Sequence, residues 1–135
     1  HTAYRYNLIR FVTEAREKGA IPVLFSSIAR RNFNEHGVLV GTHGEYPIEA
    51  RLVAQEYNVP FIDLGYFSEV LEQSYGPEKS KDLHLHFKAG EHPYYPEGKT
   101  DDTHLSYKGA LEIAKIVVAE LTKMNLDIAT RLRNF

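Results

Sequence analysis

The sequence predicts an α/β fold, on three observations. Two short and nearly continuous apolar runs, at residues 21–25 and 59–64, have the length and composition of parallel strands buried on both faces. Apolar residues at helical spacing flank them, so helices and strands alternate along the chain. Two long polar stretches, residues 29–45 and 76–103, have no sustained period and read as irregular regions. Loops of that length in a small domain are as a rule functional or disordered.

Residues 2–18 form the first helix, with Tyr4, Leu8, Phe11, Val12 and Ala15 at helical spacing and Gly19 as the C-terminal stop. The first strand is Ile21, Pro22, Val23, Leu24 and Phe25, with Pro22 at its entrance and Ser26 and Ser27 at its end. After the first polar stretch, Pro47 suits the first turn of a helix that carries Ile48, Leu52, Val53 and Tyr57 inward and stops near Asn58. Residues 59–64 give the second strand, and 66–75 a short helix with Phe67, Val70 and Leu71 inward. Ser106 is a good N-cap for a final long helix whose inner face is Ala110, Ile113, Ala114, Val117, Val118 and Leu121 and which breaks near Asn125. A short amphipathic tail, residues 126–135, ends the chain.

The 135 residues suit one domain, and 43% hydrophobic with 25% charged residues is ordinary for a globular protein. The longest apolar stretches are far shorter than the roughly 20 residues of a spanning helix, so no membrane partner is expected. A net charge of −2, with both signs scattered, provides no basic stripe and no nucleic-acid partner. The absence of cysteine excludes disulfides, thiolate nucleophiles and Cys-ligated zinc. The chain begins at His1 with no leader-like segment after it, and this start reads as a cut end.

The chemistry-bearing stretch is Asp101-Asp102-Thr103-His104, at the end of the second polar region and just before the last helix. In an acyl-transfer triad a histidine takes the nucleophile's proton while a carboxylate holds its other ring nitrogen. An aspartate three residues before the histidine can fold back onto the imidazole. The same spacing also suits an acidic loop leading into a capped helix. Asp101 is the better orienter, because Asp102 can serve the loop or the helix entrance. Ser26 and Ser27 end a strand, where a nucleophile could sit, but no Gly-x-Ser-x-Gly elbow surrounds them.

The block "DDTHLSYKGA" resembles the last conserved block of the SGNH, or GDSL-type, hydrolases. With "GAIPVLFSSIARRNF", "GTHGEYP", "VPFIDL" and "EHPYYPEGKTDDTHLSYKGA" in the same order, the chain is similar to the rhamnogalacturonan acetylesterase-like branch from about Tyr4 to Leu121. The resemblance implies a three-layer α/β/α fold with a parallel five-stranded sheet, of which this chain supplies the last two strands and flanking helices. It implies a serine esterase that removes acetyl groups from a pectic or related polysaccharide and needs no cofactor or metal for catalysis. His104 would be the general base and Asp101 its orienter. The Gly-Asp-Ser block and the oxyanion-hole Gly and Asn have no counterpart here. The chain is therefore expected to be the C-terminal part of one domain, inactive alone, whose partner is the N-terminal half with the nucleophile. A polysaccharide substrate favours a secreted or periplasmic location. The alternative is a non-catalytic α/β carbohydrate-binding module.

Arg30 and Arg31, at a strand's carboxyl end, could pair with a uronate carboxylate, or serve as solvated or structural arginines. His43 could line the same cleft or cap a turn, and Tyr94 and Tyr95 could stack on a sugar ring or pack in their loop. His84 and His86 alternate as on a strand, with His92 near, but match no standard zinc spacing.

Overall fold

A computed structural model describes residues 2–131, which form two compact units. The start at His1 and residues 132–135 of the expected tail lie outside the described residues. The first unit comprises the chain up to Ile28, His43–Tyr66 and the chain from Val117. It contains α1 (Thr2–Glu17), β1 (Leu24–Phe25), α2 (Tyr46–Glu56) and β2 (Phe61–Ile62), with the start of α3 (Leu64–Lys79) and the end of α4 (Tyr107–Lys123). The strands pair in parallel, Leu24 with Phe61 and Phe25 with Ile62. Only two residues of each expected run are paired strand, and Ile21 and Phe25 are exposed rather than buried on both faces.

The core of this unit is Val12, Ala54 and Val59, packed against Leu24, Tyr57 and Phe61. Burying a valine such as Val12 contributes about 2 kcal/mol. α1 and α2 are joined at their surfaces by Arg5, which pairs with Glu49 and Glu56. Arg16 donates to the carbonyls of Tyr57 at 2.9 Å and Asn58 at 3.0 Å, where α2 has run out of internal partners. The inner face of α2 matches the expected one at Val53, which is buried, and at Tyr57, which packs on the core, but Ile48 and Leu52 are exposed and Ala50 and Ala54 are buried instead. Small residues carry half of this face, which a pattern of large apolar side chains does not reveal.

The second unit comprises Ala29–Thr42 and Phe67–Ile116. Its first stretch is irregular, as expected, and is held by a Phe33–Leu39 bridge and by Asn34 Oδ1, which accepts from the backbone of His36 and Val38. α3 breaks at Gly76, whose φ of 73° and ψ of 175° lie outside helical space, so its first segment ends at the expected place. Val70 is exposed, and the buried positions of the part of α3 that lies in this unit are the polar Ser68 and Glu72, one turn apart. Ser68 accepts the backbone N–H of Ala29 at 2.8 Å.

Residues 76–103, expected to be irregular, hold a 3₁₀ turn (Ser80–Leu83), β3 (His84–Phe87) and most of β4 (Lys99–Leu105). The two strands pair antiparallel, Leu85 with Asp101, His86 with Thr100 and Phe87 with Lys99, with a register irregularity between His84 and Leu85. They are stabilised by ladder and polar side-chain bonds rather than by β-branched residues, which is why strand propensity does not show them. Among the described residues no helix is long and apolar enough to cross a membrane.

Candidate active site

β4 ends at Leu105, Ser106 N donates to Leu83 O at 3.0 Å, and α4 begins at Tyr107. Ser106 Oγ accepts from Gly109 N at 3.1 Å, the N-cap expected of it, and donates to Asp82 O at 2.6 Å. His104 therefore sits on a strand end fixed by a capped helix start.

Within this frame Asp101 and His104 come together. Asp101 Oδ1 accepts the backbone N–H of both Thr103 and His104 at 2.9 Å, and Oδ2 lies 2.9 Å from His104 Nδ1. Lys99 Nζ is 3.5 Å from Oδ2. The backbone N–H groups of His104 and Thr103, then the imidazole, hold the Asp101 carboxyl far below the usual carboxylate range. Asp101 is thus a carboxylate at neutral pH. Its side chain is 14% exposed, whereas that of His104 is 73% exposed. A carboxylate on Nδ1 leaves the lone pair of a neutral imidazole on Nε2, the tautomer a general base requires.

Asp102 faces a different set of partners. Its Oδ1 lies 2.8 Å from Arg31 Nη1 and 2.8 Å from His86 Nε2. Burial raises the Asp102 carboxyl, but the hydrogen bonds and charges of Arg31 and His86 outweigh it and hold it below its ordinary value. Arg31 also donates through Nε to Ser80 Oγ at 3.1 Å and through Nη2 to Pro77 O. Its side chain is 12% exposed and each of its three nitrogens makes a bond within the protein, the structural role weighed for Arg31 beside the substrate contact. Arg30 beside it is exposed. Tyr94 is 84% exposed at the tip between β3 and β4, next to the ring of His92. His43, in the first unit, has Nε2 2.8 Å from Ile28 O and is half-buried.

The alternating histidines of β3 are tied to different acids. His86 reaches Asp102, and His84 Nε2 lies 2.6 Å from Glu72 Oε1 in a buried pair. Among the described residues no His, Asp and Glu side chains gather into a metal-ligating group. The Arg31–Asp102–His86 and Glu72–His84 contacts are the part of the site that sequence reasoning missed. The doubled aspartate and the alternating histidines are their only signal.

Ser26 is buried, donating to Asp63 Oδ1 at 2.7 Å and accepting from Gly65 N at 2.7 Å. Both roles of its hydroxyl are taken by structure. Ser26→Ala is expected to cost about 1–2 kcal/mol, because a buried N–H loses its acceptor, and to leave hydrolysis by the extended protein unchanged. Urea unfolding with an acetyl-ester assay checks both; lost hydrolysis in a folded variant would reopen Ser26 as nucleophile.

The chain is 43% identical over 132 residues to rhamnogalacturonan acetylesterase RhgT of Bacillus subtilis (strain 168), covering 98% of this chain and 57% of that protein. Its curated homologues are rhamnogalacturonan acetylesterases. The probable rhamnogalacturonan acetylesterase YesY of the same organism is 34% identical over 128 residues, 95% of this chain and 54% of its own length. The chain thus spans a little over half the length of the acetylesterases it matches. A crystal structure of protein YXIM from Bacillus subtilis superposes with a TM-score of 0.73 at 22% identity, covering 91% of this chain and 31% of that one, and shares its fold. No protein-family model matches the chain.

Proposed function

We propose that this chain supplies the base and its orienter to the Ser-His-Asp triad of an SGNH-type carbohydrate esterase that removes acetyl groups from rhamnogalacturonan or a related polysaccharide. The observation that carries the reading is Asp101: one oxygen fixed by two backbone N–H groups, the other on Nδ1 of an exposed His104. The names of the matched acetylesterases support the substrate class. The proposal includes a three-layer α/β/α domain in which β1 and β2 are the last two of five parallel strands; the likeness to YXIM supports a shared fold.

In this reading the nucleophilic serine and the oxyanion-hole donors stand on a preceding half of the same domain. His104 Nε2 takes the serine proton as Oγ attacks the acetyl carbonyl, and the tetrahedral oxyanion forms. The same proton then passes from Nε2 to the departing sugar oxygen, leaving an acetyl-serine. Water attacks that ester as His104 Nε2 takes its proton, and the same proton returns to the serine Oγ as acetate leaves. Asp101 stabilises the imidazolium in both steps without itself accepting a proton. Arg30 and Tyr94 of the second unit are proposed to meet the sugar chain, and a sugar contact is proposed separately for His43 of the first.

The test is acetate release from acetylated rhamnogalacturonan, and aryl acetate hydrolysis, by the 135-residue chain and by a protein extended upstream through a Gly-Asp-Ser block. The extended protein is expected to be active and the short chain inactive. Sugar binding without any hydrolysis by the extended protein would favour the binding-module alternative instead.

A further inference from the structure

Resting on the esterase reading above, we propose that Arg31 and His86 are positioning residues for the Asp101–His104 pair, acting through Asp102. Asp101 and Asp102 are adjacent on β4 and their carboxylates do different work. That of Asp101 turns onto its own chain and His104. That of Asp102 is bound by Arg31 Nη1 and His86 Nε2, each at 2.8 Å, from two other segments.

Arg31 holds Asp102 at two levels, since its backbone N–H also donates to Asp102 O at 2.9 Å. Arg31 is fixed in turn by Ser80 Oγ and Pro77 O. His86 reaches the same carboxylate from β3, where it pairs with Thr100. Asp102 is thus fixed by side chain and main chain at once. The turn immediately after it presents two N–H groups to Asp101 and the imidazole of His104.

The consequence is geometric. Asp101 meets His104 across three residues, and the backbone between them runs through Asp102. The Arg31–Asp102–His86 cluster holds that backbone, and with it the direction in which the Thr103 and His104 N–H groups and the imidazole meet the Asp101 carboxylate. A base displaced by about 1 Å can lose about 10²-fold in rate. Loss of the cluster therefore acts on kcat, with KM carried by residues elsewhere.

The experiment uses the extended protein with two variants. Arg31→Lys keeps the charge but cannot reach Asp102, Ser80 Oγ and Pro77 O together. The double variant Arg31→Met with Asp102→Leu removes both charges of the pair together, so that neither is left unpaired. The expected result is kcat lower by about tenfold in Arg31→Lys and by about 10–100-fold in the double variant, with KM within about twofold. Nitrogen-15 spectra of the His104 imidazole are expected to show a mixture of tautomers in place of the Nδ1–H form. A purely structural role would leave that spectrum unmoved.

Unchanged kcat and unchanged tautomer in folded variants would overturn the proposal, as would lower kcat with the tautomer intact. If the double variant fails to fold, Arg31→Lys decides on the same two readouts. If the parent shows no hydrolysis that depends on His104, the esterase reading fails, and the tautomer shift alone still decides whether the cluster positions His104.

Discussion

His104→Ala in the extended protein is expected to lower kcat by about 10⁴-fold while leaving the unfolding midpoint nearly unchanged. The expected rate loss is large because, in the proposed mechanism, one group serves both acylation and deacylation as base and acid. The expected stability loss is small because the side chain is mostly exposed and its only side-chain partner among the described residues, Asp101, keeps both backbone N–H donors. Removing an exposed surface group away from the core costs within about 0.5 kcal/mol. Steady-state acetate release together with urea unfolding separates the outcomes. A folded variant that hydrolyses the acetylated polymer at the parent's rate would show that His104 is not the base.

Gly109→Ala is expected to destabilise the protein by about 3 kcal/mol, the upper part of the range for overpacking. A Cβ at Gly109 would stand 2.0 Å from Leu83 O, 2.8 Å from Leu83 C and 3.1 Å from its Cα. All three are backbone atoms of a buried residue, so no side-chain rotation relieves the overlap. Alanine gains about 1 kcal/mol of helix propensity over glycine, which is too little to offset the clash. The first turn of α4 must then move off Leu83, and the 3.0 Å bond from Ser106 N to Leu83 O is lost. Calorimetry is expected to show Tm lower by about 10 °C in a domain of this class. His104 lies two residues before Ser106, so activity falls beyond what stability explains. A variant as stable as the parent would mean that α4 does not approach Leu83 so closely.

The helices were legible in the sequence because each keeps its stop or cap in the chain itself. Gly19 and Asn58 have positive φ beyond α1 and α2, Gly76 interrupts α3, and Ser106 caps α4. The parallel strands were legible from their apolar runs, although pairing is confined to two residues each. β3 and β4 were not, because their stabilising side chains are histidines and aspartates, which no hydrophobic period reveals. The inner face of α3 was missed for the same reason, since Ser68 and Glu72 are buried by virtue of their partners Ala29 N and His84. At the site, the contact of Asp101 with His104 follows from a three-residue spacing. The role of Arg31 does not, because its partner Asp102 lies 71 positions away in the chain.

The carboxylate and the imidazole of the pair are three residues apart, and the bonds made directly by Asp101 to Thr103 and His104 close inside one turn. So short a closure carries almost no loop entropy, and in folding it belongs to the early, local events. On the esterase reading proposed above, the long-range step that remains would be to bring the nucleophile to a pair that has already formed. A protein divided upstream of α1 would then regain activity on mixing its fragments without having to rebuild the acid–base pair.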